Sequence, residues 1–89
     1  MAIDSKLFDR YVGRYALTPA IVLSVTREGG HLFAQVTGQQ RFEIFPESER
    51  DFFYRVVDAQ ITFEATGQQP ATALVLHQNG QNLRAQRVE

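Results

Sequence analysis

The sequence predicts an all-β fold, a small antiparallel up-and-down barrel of about eight strands with one short helix at its N-terminal end. Three observations predict it. From residue 14 onward, apolar side chains recur at every second position within short runs, the period of a half-buried strand. The runs are broken by turn-forming clusters at Glu28-Gly29-Gly30, Thr37-Gly38-Gln39-Gln40, Pro46-Glu47-Ser48-Glu49, Asp58-Ala59, Gly67-Gln68-Gln69-Pro70 and Asn79-Gly80. None of these breaks has the roughly dozen residues that a crossover between parallel strands requires. A twisted sheet of about eight strands tends to close on itself, which removes its edges.

Each element has a local reason. Asp4 is placed to cap a helix over residues 5 to 11, with Ile3 and Phe8 at the spacing of a hydrophobic staple. Leu7 with Tyr11, and Phe8 with Val12, are four apart and give that helix an apolar face. Gly13 ends it. A first strand follows over Arg14 to Leu17. In the next, Ile21, Leu23 and Val25 oppose Val22, Ser24 and Thr26; then Leu32, Ala34 and Val36 oppose Phe33, Gln35 and Thr37. RFEIF, DFFYRVV, QITFEA, TALVLHQ and NLRAQRV supply the rest, and Asn79-Gly80 is the strongest hairpin signal among them. The division expected is an N-terminal segment over 1–12 and a barrel over 13–89, within one domain.

Composition narrows the function classes. Eighty-nine residues make a single domain with a modest core, and 44% hydrophobic and 11% aromatic content exclude disorder. Nine basic and ten acidic side chains give a net charge of -1, and the arginines are scattered without a run. Such a chain has no field to attract a polyanion, so nucleic acid is not an expected partner. The absence of Cys removes disulfides, thiolate metal sites and a cysteine nucleophile. The longest apolar run, Ala20 to Leu23, is too short to cross a bilayer, and MAIDSKLF lacks the apolar core of a signal peptide. A soluble chain without membrane partnership is expected.

Candidate chemical residues are few. His31 and His77 fall at strand ends beside Gly-containing turns without a short-spaced ligand partner, which reads as surface or turn packing rather than metal binding. Ser5, Ser24, Ser48 and Thr62 lack a nucleophile elbow or a local base. Glu47, Glu49 and Asp51 flank a proline turn, where solvated acids usually sit. No catalytic residue, cofactor or metal site is expected.

What remains is surface. In DFFYRVV, Phe52, Tyr54 and Val56 face one way and Phe53, Arg55 and Val57 the other, so the start of this strand is apolar on both faces. The N-terminal helix is expected to lie over the second face; a partner protein is the other candidate cover. Strands rich in Phe, Leu, Ile and Val predict a filled interior, leaving at most a shallow cleft at one open end, lined by aromatics such as Phe33, Phe42 or Tyr54. The candidate interaction or cleft residues are thus Phe33, Phe42, Phe53, Tyr54 and Arg55.

The order and spacing of Tyr11-x-Gly13-x-Tyr15, Leu32-Phe33-Ala34, Phe45-Pro46, Phe63 and Leu76-x-Gln78-Asn79-Gly80 run through almost the whole chain. Together they resemble the lipocalin-like domain at the C-terminus of penicillin-binding-protein-like serine hydrolases and peptidases of the class C β-lactamase type. The resemblance implies a bacterial accessory barrel that assists oligomerisation or shapes access to a catalytic cleft. Its partner would be a hydrolase catalytic domain or a second copy. The catalytic Ser-x-x-Lys and Tyr-x-Asn patterns of those hydrolases do not transfer. Lys6 has Ile3 three residues before it, and Tyr11, Tyr15 and Tyr54 are followed two positions on by Gly13, Leu17 and Val56. The alternative function is a stand-alone barrel that binds a small apolar or peptide ligand.

Overall fold

In a computed structural model describing residues 5–66 and 69–89, eight antiparallel strands close into a barrel in chain order. They are β1 (Gly13–Ala16), β2 (Val22–Glu28), β3 (His31–Val36), β4 (Phe42–Pro46), β5 (Asp51–Tyr54), β6 (Ala59–Glu64), β7 (Ala73–Gln78) and β8 (Gln81–Arg87). The wall closes where Tyr15 and Ala16 of β1 pair with Arg87 and Gln86 of β8. Turn chemistry sets the register. Asn79 and Gly80 have φ of 54° and 75°, the left-handed pair that a two-residue hairpin needs, and they place Gln78 opposite Gln81.

The alternation read from sequence is the inside and outside of this wall. Leu23, Val25, Leu32, Ala34, Ile44, Phe52, Ile61, Phe63, Leu74 and Ala85 are buried within the barrel, and no polar or charged residue is among the buried ones described. A cluster of rings fills one half of the interior. Tyr11 stacks on Phe63 at 4.3 Å, Phe52 meets Phe63 edge-on at 5.4 Å, and Phe8 and Tyr15 complete the cluster at 5.7 Å from Phe52 and 5.9 Å from Phe63.

The N-terminal segment departs from expectation in two ways. It is a 3-10 helix over Ser5–Arg10, closed by the Tyr11 amide donating to the Phe8 carbonyl at 2.9 Å. In 3-10 geometry residues three apart eclipse, so Phe8 and Tyr11 share one side and both reach Phe52. That side points into the barrel. The helix therefore does not cover the outer face at Phe53: its buried aromatics Phe8 and Tyr11 join the core instead. The expected cap at Asp4 and staple at Ile3 lie outside the described residues.

The fifth strand is also shorter than its apolar pattern. Phe53 pairs with Gln60, so residues 55–58 must turn the chain, and the Ala59 amide bonds back to the Val57 carbonyl at 3.0 Å. Val56, expected on the same strand face as Phe52, is instead 65% exposed in this turn.

Candidate functional site

The two ends of the barrel differ, and the difference follows from where the chain enters. Gly13 starts β1 beside the end of β8, so the preceding residues fall across the end that carries the β2–β3, β4–β5 and β6–β7 connections. They are tied down there. The Tyr11 hydroxyl donates to the Glu49 carbonyl in the β4–β5 turn, and the Ala71 amide donates to the Arg10 carbonyl at 2.8 Å. Asp9 pairs with Arg27 at 2.7 Å. Arg87 points its guanidinium at the same seam, donating to the carbonyls of Val12 at 2.8 Å and Ala71 at 3.2 Å. Tyr15, whose hydroxyl donates to the Tyr11 carbonyl at 2.8 Å, is held protonated by burial, its pKa pushed up to about 12 despite the nearby Arg87. This end is stoppered.

The opposite end is open. Its cleft, about 70 Å³, is walled by Ala34, Val36, Phe42, Ala59 and Leu76, with Gln39, Gln40, Gln78, Tyr54 and Val57 also lining it. Phe42 pairs with Ala34 on the inner face and meets Tyr54 edge-on at 6.4 Å. Burial pushes the Tyr54 phenol up to about 12 with no charged neighbour contributing. Phe33, grouped with these two from sequence, lies on the outer face instead, paired with Glu43 and covered by the Arg41 guanidinium at 4.2 Å.

Phe53 and Arg55 belong to a second place, on the outside of the wall. Phe45 and Phe53 are paired across β4 and β5 with ring centroids 5.8 Å apart, and the Arg55 guanidinium lies 3.9 Å from the Phe45 centroid. Arg55 is exposed and has no carboxylate partner among the described residues. The candidate residues thus divide between an open end (Phe42, Tyr54), an outer aromatic pair (Phe53, Arg55) and a cation-covered ring (Phe33).

A polar chain across the outer wall has no signal in the spacing of its members. Ser48 and Thr62 both donate to Asp51, at 2.8 and 2.7 Å, while His77 places Nε2 3.0 Å from Thr62 Oγ1 and Nδ1 2.6 Å from Asn82. Register joins them, since Asp51 pairs with Thr62, and His77 with Asn82. The arrangement is not a nucleophile with its base. In a catalytic triad the imidazole stands between hydroxyl and carboxylate; here the hydroxyl stands between them, its proton held by Asp51. Among the described residues, no three His, Asp or Glu side chains are grouped to hold a metal ion.

The two hydroxyl bonds hold the Asp51 carboxyl below its ordinary range. Its charged form is thus favoured by folding, giving stability that is present above about pH 4 and lost as pH falls through the lowered folded value. Asp51→Asn is expected to flatten the acid limb of the stability curve below about pH 4, measured by urea denaturation at a series of pH values. An unchanged acid limb would remove Asp51 from the account of acid stability.

Comparison with known families matches residues 1–87 to the family described as "Domain of unknown function (DUF3471)". Among curated proteins, "Penicillin-binding protein 4*" of Bacillus subtilis (strain 168) is 35% identical over 88 residues, which are 99% of this chain and 19% of that protein. The chain spans about a fifth of that relative's length. No solved structure matches. No helix among the described residues is long and apolar enough to cross a membrane.

Proposed function

The chain belongs to the DUF3471 family, and from that premise we propose that it is a non-catalytic accessory domain of a penicillin-binding-protein-like serine hydrolase or peptidase, a lipocalin-like barrel packing against the catalytic domain. The observation that carries the reading is the outer pair Phe45 and Phe53 with Arg55 beside it. Aromatic rings and arginine are the residue types that dominate the energy of protein interfaces. The described aromatics of the N-terminal segment are spent inside the barrel, which leaves this pair available to a neighbour. The similarity to a fifth of a penicillin-binding protein supplies the kind of neighbour.

A carrier role for a small apolar ligand has less support. Drug-sized ligands occupy pockets of about 300–1,000 Å³, whereas the open-end cleft is about 70 Å³ and the rest of the interior is packed with side chains.

The test uses the Bacillus subtilis relative with its matched fifth removed, titrated calorimetrically with this domain. Phe53→Glu is expected to weaken binding about thirtyfold, the loss of one central interface residue of about 2 kcal/mol, while its circular dichroism stays that of the parent. Binding that is absent, or indifferent to Phe53→Glu, would defeat the proposal. An unfolded Phe53→Glu variant would assign the ring to the fold rather than to a partner.

A further inference from the structure

The open end of the barrel has the chemistry of a binding site that the accessory reading neither uses nor requires. Ala34 and Ala59 are the smallest side chains lining the cleft, whereas the stoppered half, which holds alanines of its own, is filled by the ring cluster. Around it are three glutamines, Gln39, Gln40 and Gln78, and the Tyr54 phenol. None of these four side chains has a hydrogen-bond partner among the described residues; the bonds at Gln39 are made by its backbone, its amide donating to the Val36 carbonyl and its carbonyl accepting from the Gln35 side chain. No charged residue lines the cleft. A carboxamide carries both a donor and an acceptor, so three of them over an apolar hole match a neutral group with an apolar body and amides beside it.

We propose that this end is a receptor for one aliphatic side chain of an uncharged peptide segment belonging to another molecule, the side chain entering the cleft and its flanking backbone amides bonding the glutamine rim. A cleft needs about 10–15 Å³ of such space for each water, so about 70 Å³ takes a branched side chain and no more. The lack of lining charge sets the specificity: a cationic or anionic side chain entering here gives up its hydration without a counter-charge. The desolvated, neutral Tyr54 phenol is consistent with the same setting.

The test is a titration of the isotope-labelled domain with N-acetyl-leucine-N-methylamide, followed in the two-dimensional amide spectrum. Saturable shifts are expected at the side-chain amides of Gln39, Gln40 and Gln78 and the backbone of Ala34 and Ala59, with a Kd of about 1–10 mM, as one buried side chain allows. The corresponding lysine derivative is expected to bind about tenfold or more weakly, and Tyr54→Phe to weaken the leucine derivative about threefold. Shifts centred on Phe45 and Phe53, no saturation, or equal binding of the lysine derivative would overturn the proposal. So would equal binding of n-pentanol, which would make the site a plain apolar hole for small molecules.

Discussion

Phe63→Ala is expected to cost about 3–5 kcal/mol, the range for truncating a fully buried aromatic and a large part of the stability a small domain has. Phe63 is the centre of the interior ring cluster, stacked on Tyr11 and met edge-on by Phe52 and Tyr15. Its loss leaves a hole between the N-terminal segment and the sheet, and Tyr11 has no other stacked ring to lie on. Urea denaturation would show the midpoint collapsing toward zero denaturant. The matching control is Phe53→Ala on the outer face of the neighbouring strand, expected to cost about 1 kcal/mol or less because its ring is only half-buried. Equal costs for the two would mean that inside and outside have been assigned wrongly.

The second large effect is expected at Gly13. A Cβ placed there would sit 2.7 Å from the Glu89 carbonyl oxygen and 2.9 Å from the guanidinium carbon of Arg87. The arginine can swing away, but only by giving up its bonds to the Val12 and Ala71 carbonyls. The carbonyl can move only by loosening the Arg14 amide bond to Glu89, 3.1 Å long, at the seam where the last strand meets the first. Gly13→Ala is therefore expected to cost about 1–3 kcal/mol, the usual range for overpacking, and to lower the melting temperature by about 4–8 °C per kcal/mol. An unchanged melting temperature would show that the seam yields without cost. The Tyr11-x-Gly13-x-Tyr15 spacing has the same origin: two tyrosines enter the interior and the residue between them must pass under the closing strand.

Much of this was legible before the structure. Strict alternation put Leu23 with Val25, and Leu32 with Ala34, on one face of each strand, and those faces are the buried ones, because period two keeps alternate residues together. Ile21, grouped with Leu23 and Val25, lies before the strand begins and is exposed. Asn79-Gly80 marked its hairpin for a steric reason that is local to two residues. The number of strands and their closure into a barrel followed from such local facts.

What was not legible depended on register or on the path of the chain in space. Phe33 and Phe42 look alike as aromatics near one turn, yet pairing puts Phe33 opposite Glu43 outside and Phe42 opposite Ala34 inside. Asp51 and Thr62, Thr62 and His77, and His77 and Asn82 are 11, 15 and 5 residues apart in sequence and meet only because four strands lie side by side. The N-terminal segment carried an apolar face that fitted a helix laid outside the sheet as well as one turned in. The path of the chain decides it: the segment is a 3-10 turn whose Phe8 and Tyr11 both reach Phe52 inside the barrel.

The central claim is that this barrel works through its surfaces, with its interior occupied by its own side chains. A native mass spectrum of the purified chain tests it most directly. The account predicts the mass of the bare 10.1 kDa polypeptide, or whole multiples of it, at every concentration. A retained extra mass of about a few hundred daltons, the size of a ligand that fills a carrier pocket, would contradict it.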